Sequence, residues 1–283
     1  MPALRNLVLD GATRLSLGPH PDRAHQDAEA LVFDLLRRNK AWLLTHGEEE
    51  LSSAETGRYT ELLDRRFRGE PIQYITGEAE FYGLPFRVTP EVLIPRPETE
   101  HLVEKVIELA ANFSEPRIVD VGTGSGIIAV ALAHKLPAAI ITAIDLSSSA
   151  LAIAKENAEC NGVTSHIRFL EGDLLATVAE ERFEIVVSNP PYVPEADRAS
   201  LSVEVRDYEP ALALFAGGDG LAVYRRLIPA AFDALTPGGC VALEIGFGQS
   251  PAIRTLLATS GFGQIEFVPD LQGIPRVACA QRP

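Results

Sequence analysis

From residue 117 onward, apolar runs of strand length recur between helical stretches. Arg117–Val121, Ile140–Asp145, Ile167–Leu170, Phe183–Val187 and Val241–Ile245 read as strands. Ser148–Asn161, closed by Gly162, reads as one of the helices between them. Strand and helix in alternation predict an α/β fold, a mostly parallel sheet with helices on both faces. Ile265–Val268 and Val277–Ala280, separated by Gly and Pro, read as a closing antiparallel hairpin.

Upstream the pattern is different. Ala28, Leu31, Val32, Leu35 and Leu36 recur at helical spacing. A second helix runs from about Ser53 to Arg68 and stops before Gly69 and Pro71. Arg65, Arg66 and Arg68 in its last turn read as charges favoured at a helix C-terminus, with a partner-binding patch as the other reading. From 71 to 97, Gly and Pro punctuate short aromatic and β-branched pieces, which predicts a hairpin-like linker. The expected organisation is a helical domain over 1–70, a linker over 71–97 and an α/β domain over 98–283.

Charge narrows the function. With 25 basic against 39 acidic residues the formal net charge is −14, which argues against a general affinity for phosphate backbones. The early charges Arg5, Asp10 and Arg14 interrupt any signal-length apolar run, and no stretch approaches the roughly 20 apolar residues of a membrane span. Cys160, Cys240 and Cys279 are far apart and form no CxxC pair, which suits a reducing compartment and free, buried thiols. The histidines show neither an HExxH motif nor a His/Cys grouping, so no metal site is expected. A cytoplasmic protein without membrane attachment is the expectation.

The stretch VDVGTGSGIIAVALA, 119–133, is a strand, a glycine turn and a helix start. Gly122, Gly124 and Gly126 remove side chains where a ligand approaches the backbone, and the helix start offers free N–H groups. Asp145 ends the next strand, 19 positions after Gly126, where a carboxylate accepts from ribose hydroxyls. The dinucleotide fingerprint would need glycine where Ile127 stands, and the Gly-Lys-Ser/Thr ending of a phosphate-binding P-loop is absent. Asp120, at the loop's entrance, would repel a pyrophosphate and welcome an ammonium or sulfonium. The acid tilts this nucleoside site towards S-adenosylmethionine. Asp173, after the following strand, is placed to reach the adenine end, and a helix cap is the plain alternative for any one of these acids.

SNPPYVP, 188–194, ends the fourth strand with two adjacent prolines that cannot extend a ladder. A planar amide nitrogen is a poor nucleophile. Two acceptors, the Asn189 side-chain oxygen and the Pro190 carbonyl, can take its two N–H bonds, hold it towards a methyl donor and favour its pyramidal form. Pro191 stiffens the turn, and Tyr192 offers a flat apolar face to the substrate.

VDVGTGSG, AIDLS, GDLL and NPPY together resemble class I S-adenosylmethionine-dependent methyltransferases acting on a planar nitrogen. With PIQYITGEAEFYG (71–83), IPRPETE (94–100), EPALALFAGGDGLAVYRRLI (209–228) and GGCVALEIGFGQ (238–249), the chain resembles the release-factor glutamine methyltransferases of the HemK/PrmC family. The resemblance runs from about residue 70 to the end, and the helical N-terminal domain fits it. It implies a Rossmann-like fold and N5-methylation of the glutamine in the Gly-Gly-Gln loop of class 1 peptide chain release factors. S-adenosylmethionine would be converted to S-adenosylhomocysteine, with the helical domain recognising the protein substrate and the enzyme acting as a monomer. By position, Asp120, Gly122, Thr123, Gly124, Ser125, Gly126, Asp145, Asp173, Leu174 and Asn189 would meet the cofactor. Asn189, Pro190, Pro191 and Tyr192 would meet the glutamine, with Asn189, Pro190 and Tyr192 carrying the catalysis. At Leu174 the family often carries an aromatic over the adenine. Glu98 is a site-lining residue or, with Pro97 and Glu100, part of an ordinary first helical turn. A ribosomal-protein glutamine would be methylated by the same chemistry. An adenine-N6 methyltransferase would share the pocket but lacks its basic surface here, and a nucleotide-dependent oxidoreductase would leave Ile127 and NPPY unexplained.

Overall fold

Ser52 begins the longest helix of the N-terminal region by accepting from the Glu55 amide at 3.2 Å, while its own amide donates to Glu55 Oε2 at 2.8 Å. This reciprocal capping box satisfies two amides that a helix start leaves open. The computed structural model describes residues 3–283, so the first two residues of the helical stretch expected over 1–70 lie outside the described residues. Two units emerge. One holds the described residues up to Glu78 together with Leu201–Tyr208, and the other holds Ala79–Ser200 and Glu209–Pro283.

The first unit is helical: α1 (Leu4–Leu15), α2 (Ala24–Leu36), α3 (Lys40–His46), α4 (Ser53–Phe67) and α5 (Ile72–Thr76), joined from far along the chain by α9 (Val203–Tyr208). Leu4, Val8, Ala28, Leu31, Val32, Tyr59 and Leu63 form its core. The basic turn of α4 is neither a surface patch nor a simple dipole partner. Arg66 is 2% exposed. It donates to Asp27 Oδ2 at 2.6 Å, to Glu204 Oε1 at 2.5 Å and to the Glu70 carbonyl at 2.9 Å. Arg65 pairs with Glu70, and only Arg68 is exposed.

A hairpin that starts at the boundary residue and otherwise belongs to the second unit, β1 (Glu78–Phe81) and β2 (Leu84–Arg87), turns at Tyr82 and Gly83, both with positive φ. Then come α6 (Thr99–Ala110), β3 (Arg117–Val121), α7 (Ile127–Lys135), β4 (Ile140–Asp145), α8 (Ser148–Cys160), β5 (Ile167–Glu171) and β6 (Phe183–Ser188). The chain continues through α10 (Ala211–Leu214), α11 (Ala222–Ala234), β7 (Leu235–Glu244), α12 (Ser250–Thr259), β8 (Gly263–Pro269) and β9 (Pro275–Gln281). Seven strands form one sheet in the order β5-β4-β3-β6-β7-β9-β8. Pairing is parallel from β5 to β7, and β9 runs antiparallel to β7 and β8, as the hairpin reading expects. Between β3 and β6 the winding reverses, and in such sheets ligands lodge at the strand ends there. Residues Ile127 through Ala133 of α7 are all buried, so the helix behind the glycine loop is anchored around its whole circumference.

All three cysteines are free, but Cys160 corrects the expectation of buried thiols: it ends α8 exposed to solvent, while Cys240 and Cys279 are buried. Among the described residues no helix is long and apolar enough to cross a membrane.

Candidate active site

The loop after β3 is tied across to β4. The amides of Gly122 and Thr123 both donate to the Ile144 carbonyl, at 2.8 and 3.0 Å, and Gly124 N donates to Asp145 Oδ2 at 2.8 Å. Gly122 (φ 73°) and Gly124 (φ 56°) hold left-handed backbone, and no atom lies within 4 Å of where a Cβ would stand. Gly126 (φ 83°) shares that backbone but is hemmed in. A Cβ there would meet the Cβ of Ala154 in α8 at 3.0 Å, so this glycine allows helix packing and does not line the cavity.

The cavity holds about 390 Å³. Gly122 through Ser125, Asp145, Asp173, Leu174, Asn189 and Pro191 line it, together with segment 91–96 and with Pro210, Leu212 and Ala213. Glu209 joins those last two stretches: its Oε2 accepts from Ile94 N at 3.3 Å, and its Oε1 pairs with Arg96. Asp145 accepts the Gly124 amide on one oxygen and the Ser147 amide, at 2.9 Å, on the other. Burial nevertheless raises its pKa above the ordinary carboxylate value, with those amides opposing.

Asp120 lies beneath the loop, fully buried, and is not on the cavity wall. Its Oδ2 accepts from the Thr123 hydroxyl at 2.6 Å, and its Oδ1 has no hydrogen-bond partner. Burial, reinforced by the Asp145 charge, pushes this carboxyl up to about 7 against the pull of the Thr123 hydroxyl and the Ala129 amide. An unpartnered buried carboxylate oxygen under an open glycine loop suits a cationic ligand group. Asp173 pairs with Arg226 at 2.5 Å, and the next residue, Leu174, holds a left-handed φ of 53° that non-glycine residues seldom adopt.

Asn189, Pro190, Pro191 and Tyr192 follow β6. Asn189 Nδ2 donates to the Thr99 hydroxyl oxygen at 3.2 Å, which leaves Oδ1 as the free end of the amide. The Pro190 carbonyl accepts no hydrogen bond among the described residues. Asn189 and Pro191 line this cavity, and Pro190 and Tyr192 do not. The Tyr192 hydroxyl is 3.5 Å from Glu244 Oε1, and burial raises the phenol's pKa. Glu98 immediately precedes α6 without capping it by its side chain and does not line the cavity.

Residues 12–77 match the family model described as the PrmC N-terminal domain, and residues 99–229 that of the Methyltransferase small domain. The release factor glutamine methyltransferase of Koribacter versatilis is 43% identical over 257 residues, covering 90% of each chain. That of Moorella thermoacetica is 42% identical over 280 residues, 99% of this chain and 98% of its own. The chain belongs to the release factor glutamine methyltransferase family. As a member it is a methyltransferase enzyme. The fold agrees: the hMettl16 catalytic domain, solved with the MAT2A 3'UTR hairpin 1, superposes with a TM-score of 0.58 at 17% identity, over 89% of this chain and 91% of that one.

For this member of the release factor glutamine methyltransferase family, the sequence reading singled out the loop residues but not the ones that brace them. Gln249 Nε2 donates to the Tyr192 carbonyl at 3.0 Å, while its Oε1 accepts from Gly246 N at 2.9 Å. Glu244, 2% exposed, ends β7 against Tyr192. Thr99, Glu209, Glu244 and Gln249 all fall in the sequence blocks that carry the family resemblance, and that was their only signal.

Proposed function

We propose that this enzyme transfers a methyl group from S-adenosylmethionine to the N5 side-chain amide nitrogen of the glutamine in the Gly-Gly-Gln loop of class 1 peptide chain release factors. One observation carries the reading: at the end of β6, Asn189 Oδ1 and the Pro190 carbonyl are two acceptors that no protein donor claims. The release factor and its glutamine are suggested by the relatives, which are release factor glutamine methyltransferases.

Bound S-adenosylmethionine supplies an electrophilic methyl group and leaves as S-adenosylhomocysteine. The residues fit it. The open loop, with the buried Asp120 carboxyl beneath it, suits its ammonium end, Asp145 its ribose hydroxyls, and Asp173 with Leu174 its adenine. On the substrate side, Asn189 and Pro190 each accept one N–H of the primary amide. Both hydrogens then lie on the protein side, and the nitrogen lone pair is directed away from its own carbonyl and towards the cofactor cavity. Each such bond to a preorganised acceptor contributes on the order of 1–3 kcal/mol, and its geometric restraint adds to the rate. Pro191 keeps the turn rigid, and Tyr192 offers a flat apolar surface to the amide plane. No base is needed before transfer, since the proton on nitrogen becomes acidic only once the methyl bond has formed. The helical unit holds the protein factor, and α9, which begins at Val203 a short way beyond Tyr192 in sequence, belongs to that unit.

The test is a transfer assay with methyl-labelled S-adenosylmethionine, offering a class 1 release factor, the same factor with its Gly-Gly-Gln glutamine changed to alanine, and duplex DNA. Label on the intact factor alone, with the mass shift at that glutamine, is the expected outcome. Label on DNA, or equal label on both factors, would overturn the substrate.

A further inference from the structure

The backbone of Tyr192 is held by a side chain from a distant loop. Gln249 stands just before α12, and its Nε2 donates to the Tyr192 carbonyl at 3.0 Å and to the Gly220 carbonyl at 3.4 Å. Its Oε1 accepts from Gly246 N at 2.9 Å. Carbonyl oxygens only accept and a backbone N–H only donates, so these three partners leave the amide one orientation. Reversed, its oxygen would face two oxygens and its NH2 would face an N–H. The base of this side chain is anchored as well. Gln249 N donates to the Gly246 carbonyl at 3.2 Å, and the Gln249 carbonyl accepts at 3.0 Å from the amide of Ile253, a buried residue of α12.

Two buried glycines let these parts approach. A Cβ on Gly220 would stand 2.3 Å from the Tyr192 carbonyl oxygen and 2.9 Å from Gln249 Nε2. One on Gly246 would stand 2.9 Å from Gln249 Oε1 and 3.0 Å from Tyr192 Cδ2. Carbon atoms pack at roughly 3.5–4.0 Å, so neither position has room for a side chain. The Tyr192 ring therefore has Gly246 at its edge, and its hydroxyl lies 3.5 Å from Glu244 Oε1. Pro190 and Pro191 stiffen the turn up to Tyr192 but do not set the place of its ring. The loop before α11 and the loop after β7 do.

We propose that Gln249 is a positioning residue for the methyl acceptor: with Gly220 and Gly246 it forms a seat that fixes the Tyr192 ring, and through that ring the plane of the substrate amide. The inference rests on the amide-methylation reading above and adds a seat to its machinery.

The seat serves the acceptor and not the cofactor. Gly220, Gly246 and Gln249 are absent from the lining of the cofactor cavity. A ring that shifts carries the amide plane with it, and misplacement on the order of 1 Å costs about 100-fold in rate. Damage to the seat is therefore read in turnover, while cofactor affinity stays near that of the parent.

The experiment uses the full chain and two variants. Gln249→Glu keeps an oxygen for Gly246 N but turns a second oxygen on the Tyr192 and Gly220 carbonyls. Gly246→Ala keeps the Gln249 amide and drives a methyl group against the Tyr192 ring. Each is expected to lower kcat on the release factor about 10- to 100-fold, with less than about twofold change in S-adenosylmethionine affinity by calorimetry. In a Tyr192→Leu background there is no ring to seat, and the same two substitutions are expected to cost less than about threefold. In parallel, 13C spectra of ring-labelled tyrosine read the Tyr192 signal, assigned by its loss in Tyr192→Leu. That signal is expected to shift in both variants, while that of Tyr59, buried in the helical unit, stays in place. Unchanged kcat in both variants, costs that persist in full beside Tyr192→Leu, or an unmoved Tyr192 signal would overturn the proposal. Absence of any methylation of the factor by the parent enzyme would count against the substrate, and the ring signal, which needs no substrate, would then decide the seat on its own.

Discussion

The Ser188 hydroxyl donates to the Val121 carbonyl at 2.6 Å, both residues buried. Val121 ends β3 and Ser188 ends β6, neighbouring parallel strands at the point where the sheet reverses its winding. The glycine loop and the Asn189–Tyr192 turn leave the sheet immediately after these two residues, so this bond extends the β3–β6 pairing to the root of both halves of the site. Ser188→Ala is expected to lower stability by about 1 kcal/mol, the usual net worth of such a bond, and to reduce turnover as well. Denaturant midpoints and kcat measured on one preparation check both.

Asn189 and Asp145 separate the two roles of the cavity. Asn189→Ala removes one acceptor for the substrate amide and is expected to lower turnover about 5- to 150-fold, as loss of roughly 1–3 kcal/mol implies. Its cofactor affinity stays near that of the parent. Asp145→Ala is expected to do the reverse, weakening the cofactor first. Calorimetry beside single-turnover kinetics distinguishes them, and unchanged affinity in Asp145→Ala would remove the ribose assignment.

Asp120 links pH to stability. Its folded pKa, about 7, lies above the ordinary carboxylate value of 3.8, chiefly through burial. Its contribution is therefore fully present below about 3.8 and is lost as pH rises to about 7. Asp120→Asn does not titrate. In cofactor-free protein its stability relative to the parent is expected to rise between pH 4 and 7, by at most about 1.4 kcal/mol per pH unit, and then level off. A cationic ligand group over the glycine loop favours the carboxylate beneath it, so cofactor binding near pH 7 should release protons, read as a dependence of binding enthalpy on the buffer's ionisation heat.

Arg66 joins Asp27, Glu204 and the Glu70 carbonyl inside the helical unit. Removing one member of a buried ion pair leaves its partner's charge uncompensated, typically at about 3–5 kcal/mol. Arg66→Ala is expected to destabilise the protein on that scale, and adding Asp27→Ala to recover part of the loss. Thermal unfolding of the single and double variants measures it. Lack of recovery would place the cost in packing and not in charge.

Much of the fold was legible because its causes are local. Arg117–Val121 and Ile140–Asp145 form strands over the ranges their apolar runs mark, and α4 ends one residue short of Arg68. Gly122 and Gly124 adopt the left-handed backbone that a tight strand-to-helix turn asks of glycine. Two prolines at 190 and 191 leave a carbonyl unclaimed for a reason written in their own covalent structure. What these residues meet was not legible. Asn189 meets Thr99 across 90 positions, Tyr192 meets Gln249 across 57, and Arg66 meets Glu204 across 138. Gly126 reads like its two neighbours, yet it answers to Ala154 of another helix. Local pattern determines which segments become strand, helix or rigid turn, because backbone sterics and hydrophobic period act within a few residues. The partners of a buried charge or a side-chain amide are decided only when distant segments pack, because desolvation and hydrogen-bond geometry exist only once the chain has closed around them.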